Sequence, residues 1–211
     1  MGVPATSNRC RALVSLAAVA LALLTGCTGP AAVSSTPAAP ATASMSTTAD
    51  SPAGVRSPLR ESAPVSIAVP SVRLDSTLID LGLNPDGTVE VPATDPGAPA
   101  GWYTGSPTPG ELGPSIILGH VNATGGGPGV FADLRDLGSG DLINVSRADG
   151  SIAVFRFREG HQYSKDNFPT SLVYGNTEGP ELRLITCDGY NPETGQFDDN
   201  YVVYAQLVDS R

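Results

Sequence analysis

The chain has 211 residues, with 21 Asp and Glu against 12 Lys and Arg, and a formal net charge of −9. The acidic excess lies from residue 64 onward, where 19 acidic side chains face 8 basic ones. Because such a domain is repelled by nucleic-acid phosphates and by anionic lipid head groups, its charge argues against nucleic-acid partners and against electrostatic membrane attachment.

Residues 1–26 are predicted to be a signal peptide. Arg9 and Arg11 precede an uncharged stretch, 12–24, that is shorter than the roughly 20 apolar residues needed to span a bilayer. Leu24-Thr25-Gly26-Cys27 then resembles a bacterial lipobox. That resemblance implies cleavage before Cys27 and its acylation, and two or more acyl chains hold a protein stably on a membrane. The alternative is ordinary cleavage that leaves Cys27 as a free thiol.

Residues 27–63 are predicted to be the lipidated Cys27 followed by a tether. Of the 36 residues from 28 to 63, 26 are Pro, Ala, Ser or Thr. Such a segment buries too little apolar surface to offset its ordering entropy, so we expect it to be disordered and extended. The remaining residues, 64–211, amount to one domain.

Short apolar runs separated by turns predict a mainly β domain. We expect strands at 65–72, 76–81, 88–91, 115–121, 141–146, 152–157, 182–185 and 201–207. The segment 92–113 is rich in proline and glycine and predicts a loop, within which Trp102 and Tyr103 are expected to fill the core, with the lining of a groove as the alternative. Apolar residues at helical spacing predict one short helix over 130–137. About eight strands with one helix indicate a closed or nearly closed β-barrel, with a β-sandwich as the alternative.

Cys187 is the candidate nucleophile. It follows the run 182–185 and precedes a polar, glycine-containing loop, so it is predicted at a strand end. If Cys10 leaves with the signal peptide and Cys27 is acylated, Cys187 is the only free thiol of an exported protein. Such thiols are exposed to oxidation and are rarely kept without a use. The alternative is a small buried apolar residue.

His120 is the candidate acid–base partner. It ends the buried-type strand SIILGH, which would fix its position, whereas His161 lies in a polar stretch without an evident partner. An imidazolium beside a thiol stabilises the reactive thiolate and can protonate a leaving amine. The alternatives are a structural histidine and a zinc site, and zinc is disfavoured because no two ligands lie at short spacing.

These residues resemble the sortases, which are cysteine transpeptidases of Gram-positive cell surfaces. The resemblance covers the domain through the motifs SIAVPSVRLDSTL, ILGHVN, KDNFP, LITC followed by DGYNPETG, and YVVYA. The opening motif and the GWY segment are most similar to the actinobacterial class E and F sortases.

The resemblance implies an eight-stranded sortase barrel with one or two short helices, and neither a cofactor nor a metal. Cys187 would attack the Thr–Gly carbonyl of an LPXTG-like sorting signal and form a thioacyl enzyme. His120 would protonate the departing amine and then deprotonate the amine of a cell-wall precursor or pilin, with water as the substitute acceptor. The side chains of Asn200, Thr186 and Asn122 would contact the substrate.

The chain departs from the family pattern in two ways. Sortases carry an arginine at the start of the strand after the cysteine loop, and here that position is Asp198 or Asn200. Arg73, Arg135 and Arg183 are candidate substitutes, and without one the protein would be an impaired, peptide-binding lipoprotein. A lipid at the N-terminus would also replace the usual transmembrane anchor, with the same location at the outer face of the cytoplasmic membrane.

Overall fold

The computed structural model describes residues 56–211. The predicted signal peptide, Cys27 and most of the predicted tether lie outside the described residues. Within 56–211, no helix combines the length and the hydrophobicity that crossing a membrane requires.

Eight strands close into a barrel, as the sequence predicts, and the sandwich alternative is wrong. The strands are β1 (Pro64–Val69), β2 (Leu74–Leu81), β3 (Ala100–Tyr103), β4 (Gly113–Leu118), β5 (Leu142–Arg147), β6 (Ile152–Ser164), β7 (Pro180–Asn191) and β8 (Gln196–Ser210). Their order around the barrel is β1-β2-β3-β4-β7-β8-β6-β5. The pairs β2–β3 and β4–β7 are parallel, and the other neighbours are antiparallel. Three 3₁₀ helices (Pro70–Val72, Leu134–Asp136 and Lys165–Asn167) and one α-helix, α1 (Thr170–Tyr174), lie between strands.

Two apolar clusters hold the barrel together. Alternate strand residues point inward and form the main core, which includes Phe155, Leu184 and Val203. A second cluster contains Ile185 and Val202, whose side chains point to the other face of β7 and β8, together with Val173 of α1. Both faces of β4 and of the first half of β7 are therefore buried, which explains their nearly continuous apolar runs.

One predicted strand is wrong and one observed strand was not predicted. Residues 88–91 form only an isolated bridge, between Val89 and Leu83. Strand β3 lies instead inside the predicted loop, and its Trp102 is 8% exposed in the main core, as expected. Gly101 allows this strand to lie against β2, because a Cβ there would come within 2.5 Å of the Leu81 side chain.

The helix predicted over 130–137 is wrong. Its apolar residues Phe131, Leu134 and Leu137 are all buried. They recur every third residue, and amide-to-carbonyl bonds link Leu134 to Phe131 and Leu137 to Leu134. This is the spacing of turns and of a 3₁₀ helix, which here covers only Leu134–Asp136. Among residues 56–211 the one α-helix is α1, in a segment where neither a strand nor a helix is predicted.

The β7–β8 hairpin is longer than predicted, so Cys187 lies within a strand and not at its end. Pairing continues past Cys187 and Asn200 to Asn191 and Gln196. The rings of Tyr190 and Phe197, which face each other across the hairpin, are 5.3 Å apart between centroids. Ladder bonds and this aromatic contact extend the strands into a segment that composition alone marks as a loop.

Ordered contacts begin before residue 64, where the sequence places the start of the domain. The Leu59 amide donates to the Gly110 carbonyl at 2.8 Å, and its side chain packs on the main core. Arg147, which is 4% exposed, donates to the Arg60 carbonyl. The segment 56–63 is therefore joined to the barrel through Leu59 and the Arg60 carbonyl.

We expect a chain that starts at residue 64 to unfold at a lower temperature than one that starts at residue 56. The shorter chain loses the Leu59 packing and leaves the buried Arg147 guanidinium without its carbonyl acceptor, at a cost of about 2 kcal/mol. In a domain of this size, that lowers Tm by about 5 °C. Calorimetry of the two chains checks this, and equal Tm values would contradict the packing role of residues 56–63.

Candidate active site

The parallel pairing of β4 with β7 brings His120 and Cys187 together. The pairing runs in register from Gly113 opposite Pro180 to Leu118 opposite Ile185. The Gly119 amide then donates to the Ile185 carbonyl at 3.1 Å. His120 and Cys187 each follow the last pair by two residues, so the imidazole and the thiol leave the sheet at the same end.

Both side chains line one groove. Its walls are Val91, Pro92, Leu118, Gly119, His120, Ile185, Thr186, Cys187 and Asn200. Cys187 is partly exposed, and it is the free cysteine of the described part of the chain. The groove is mostly apolar and open to solvent, so the sulfur is held by the sheet but remains accessible.

The His120 ring is fixed by a backbone carbonyl. Its Nε2 lies 2.8 Å from the Pro92 oxygen. A carbonyl only accepts, so Nε2 carries a hydrogen and Nδ1 is the nitrogen available for proton exchange. The His120 carbonyl in turn accepts from the Phe131 amide at 2.9 Å. Gly129 passes so close to that carbonyl that a Cβ would overlap it.

Lys165 approaches the thiol from the segment after β6. Its Nζ is 3.9 Å from Cys187 Sγ and donates to the Phe197 carbonyl at 2.6 Å. The sequence motifs predict no functional role for this residue. The available signal was composition, because Lys165 is the only lysine among the 211 residues.

The three predicted substrate contacts are placed differently. Asn200 pairs directly across from Cys187 and lines the groove. Thr186 also borders the groove, and its buried Oγ1 has no hydrogen-bond partner. Asn122 is exposed and lines a separate depression on the other side of His120.

The groove is lined by no arginine among residues 56–211, and the three candidate substitutes have other positions. Arg73 lies in the turn between β1 and β2. Arg183 is buried, 2.6 Å from a Glu181 oxygen and stacked over the Tyr204 ring.

Arg135 pairs with Asp188, the residue that follows Cys187, but it lies on the opposite face from the thiol. Neighbouring strand residues point to opposite faces, so the side chains of Asp188 and Cys187 diverge. Arg135 also stacks on Tyr201, an inner-core residue. Burial raises the pKa of Tyr201, so its ring is a neutral phenol beneath the guanidinium.

His161 does not belong to the groove. Its Nε2 is 3.0 Å from a Glu159 oxygen, and its ring packs on Tyr163 and Tyr204. The histidine that sequence analysis left without a partner is thus an exposed member of an aromatic cluster.

We expect Gly129→Ala to displace His120 and to destabilise the protein by about 1–3 kcal/mol, because the new Cβ would overlap the His120 carbonyl. The control is Gly127→Ala in the same loop, where a Cβ has no neighbour within 4 Å. Imidazole NMR signals are readily assigned in a chain with two histidines. A shifted His120 signal and a lower Tm in Gly129→Ala alone are the expected results, and identical behaviour of the two variants would contradict them.

Comparison with known proteins agrees with this architecture. SrtA sortase from Actinomyces oris has a TM-score of 0.52 and 21% identity, with 77% of this chain and 89% of that chain covered. Listeria monocytogenes sortase A gives 0.52 and 21%, with 72% and 90% covered. Sortase C-1 from Actinomyces oris gives 0.51 and 20%, with 68% and 73% covered. At these low identities, the structural similarity shows a shared fold.

No curated protein sequence matches the chain. A family model described as the Sortase domain matches residues 67–208, which is well over half of the chain and contains both His120 and Cys187. The chain therefore belongs to the sortase family of cysteine transpeptidases.

Proposed function

We propose that this protein is a cysteine transpeptidase in which Cys187 is the nucleophile and His120 the general acid and base. The observation that supports this most directly is the shared groove, into which paired parallel strands deliver the thiol and the imidazole. A nucleophile and a proton carrier on rigid strands beside an open groove are what acyl transfer requires.

The proposed reaction starts with the Cys187 thiolate and the His120 imidazolium. The thiolate attacks the carbonyl carbon of the Thr–Gly bond in an LPXTG-type peptide, and the carbonyl oxygen becomes an oxyanion. His120 then gives its proton to the departing glycine nitrogen as the C–N bond breaks, which leaves a thioester on Cys187. An acceptor amine attacks this thioester and gives a proton to the neutral His120, and the thiolate is released.

The Pro92 carbonyl supports this role of His120. It keeps the hydrogen of Nε2 in place, so the proton that moves is the one on Nδ1. The same bond holds the ring plane steady between the two half-reactions. Pro92 is therefore proposed as the positioning group for the imidazole.

The amide of Asn200 is the proposed hydrogen-bond donor to the oxyanion or to the substrate backbone. It stands across from Cys187, where an acidic side chain would oppose developing negative charge. Thr186, at the groove wall, is proposed to contact the peptide beside the scissile bond. Asn122 would contact a part of the substrate that extends past His120.

The proposed location, anchor, subclass and acceptor follow from the sequence motifs. We propose an exported protein, anchored at the outer face of the cytoplasmic membrane through acylated Cys27, and most similar to actinobacterial class E and F sortases. Its acceptor would be an amine of a cell-wall precursor or of a pilin lysine. The strongly acidic domain is consistent with a hydrophobic anchor, since charge would not draw it to an anionic surface.

With a panel of LPXTG-type peptides, we expect a covalent adduct on Cys187 whose added mass equals that of the peptide fragment ending in Thr less one water. Cys187→Ala should give no adduct, and His120→Ala should slow its formation by a factor of about 10²–10⁴, the usual contribution of a general acid. Added amines should divert the acyl group from water into ligated product, read by mass spectrometry. Cleavage without any amine-dependent ligation would indicate a hydrolase instead.

We expect Asn200→Ala to lower kcat/KM by about a hundredfold to a thousandfold, the range for loss of one hydrogen bond to a developing oxyanion. Asp198→Ala, at the alternative arginine position, is the matched control. Its carboxylate is exposed and accepts from Asn191 at 3.0 Å, outside the groove. Equal losses in the two variants would contradict the assignment of Asn200.

A second candidate is a sortase-fold lipoprotein that binds a peptide or wall component without turnover. The observation that favours it is the groove without an arginine, with Arg135 and Arg183 paired to carboxylates elsewhere. Equal affinity of the native protein and Cys187→Ala for an intact peptide, with no cleavage, would support this candidate.

A further inference from the structure

The single lysine of the chain is placed against the candidate nucleophile. Its Nζ lies 3.9 Å from Cys187 Sγ, within the range of a charge-assisted contact to sulfur. The Phe197 carbonyl accepts one ammonium hydrogen at 2.6 Å, and an ammonium has three. Two hydrogens therefore remain for the sulfur and for a bound substrate.

The fold delivers Lys165 to this point. Strand β6 pairs with β8 up to Ser164 opposite Asp199, and the 3₁₀ helix Lys165–Asn167 begins at the next residue. The side chain then crosses β8 beside Phe197 and reaches β7. The ammonium therefore lies beside the start of β8, the strand where the family pattern places its arginine.

The carboxylates near the thiol are engaged by other groups. Asp188 pairs with Arg135, Asp199 accepts from Gln162, and Asp198 accepts from Asn191. Asp166 follows in the same 3₁₀ helix, and Lys165 has no ion pair within 4.0 Å in the described part of the chain. His120 is the other proton-binding side chain in the groove. No carboxylate of residues 56–211 therefore forms an ion pair with the ammonium beside the sulfur.

We propose that Lys165 supplies the cation that this site lacks at Asp198 and Asn200, and that it stabilises the Cys187 thiolate before attack. This inference rests on the proposed role of Cys187 as the nucleophile. As the thiolate is consumed and negative charge moves to the carbonyl oxygen, the same ammonium remains beside the reacting atoms. Its proton is not transferred, so His120 keeps the acid–base role.

The test measures the rate at which iodoacetamide alkylates Cys187 in the full chain between pH 5 and 10, followed on the Cys187 peptide by mass spectrometry. Only the thiolate reacts. Two unit charges about 4 Å apart change an equilibrium by about fivefold even with water-like screening. Lys165→Gln should therefore slow alkylation at pH 7 about fivefold or more.

Two variants serve as controls. Lys165→Arg keeps the charge and should restore most of the native rate. Arg158→Gln removes one positive charge from an exposed β6 residue that bonds to Gln206, so it should leave alkylation unchanged. The difference between Lys165→Gln and the native protein should also shrink in 1 M NaCl, because salt screens exposed charges. Thermal unfolding confirms that each variant is folded.

Alkylation profiles of Lys165→Gln that coincide with the native ones would overturn the inference, as would an equal effect of Arg158→Gln. Acyl groups mapped to Lys165 after incubation with peptide would also overturn it, since they would make Lys165 an acceptor and not a cation. Because the alkylation assay needs no substrate, it distinguishes a failure of the Lys165 inference from a failure of the proposed transpeptidase function. If Lys165→Gln is alkylated slowly but no peptide adduct forms on the native protein, the inferred role of Lys165 is supported and the proposed transpeptidase function is contradicted.

Discussion

The site depends on the register between β4 and β7. Parallel strands require a crossover, and here about 60 residues separate the two. Those residues contain β5, β6 and α1, so much of the barrel must assemble before the two strands can pair. Because Leu118 lies opposite Ile185, the next residues on both strands emerge together at the edge of the sheet. A shift by one residue would turn Cys187 to the other face and bury its sulfur beside the inner core.

The alternation of side chains along β7 separates the charges around this site. Ile185 and Cys187 share the outer face of β7. Asp188 points to the inner face, where it forms an ion pair with Arg135. The Arg135 guanidinium therefore makes no direct contact with the Cys187 sulfur. Lys165, which follows β6 on the other side of β8, contacts the sulfur on the outer face. Access to the thiol is thus decided by strand parity and not by distance along the chain.

The barrel, its core and the pairing of His120 with Cys187 could be predicted because each has a local or composition-level signal. Continuous apolar runs mark β4 and β7, and the single free thiol expected in the mature chain marks the candidate nucleophile. Strand β3 and the extended hairpin could not be predicted in this way. Each is stabilised by partners far along the chain, such as Leu81 against Gly101 and β8 against β7. The approach of Lys165 depends on where β6 ends relative to β8, which no pattern in its own segment reveals.

The segment 56–63 enters the barrel at the end away from the groove. Arg56 donates to the Val208 carbonyl near the end of β8, and Leu59 meets Gly110 just before the start of β4. His120 and the Cys187–Asn200 pair lie at the other ends of those same strands. Val208 is eight residues from Asn200, about 26 Å along an extended strand. The segment 56–63 and the groove therefore lie at opposite ends of the barrel, so that this segment leaves the groove unobstructed.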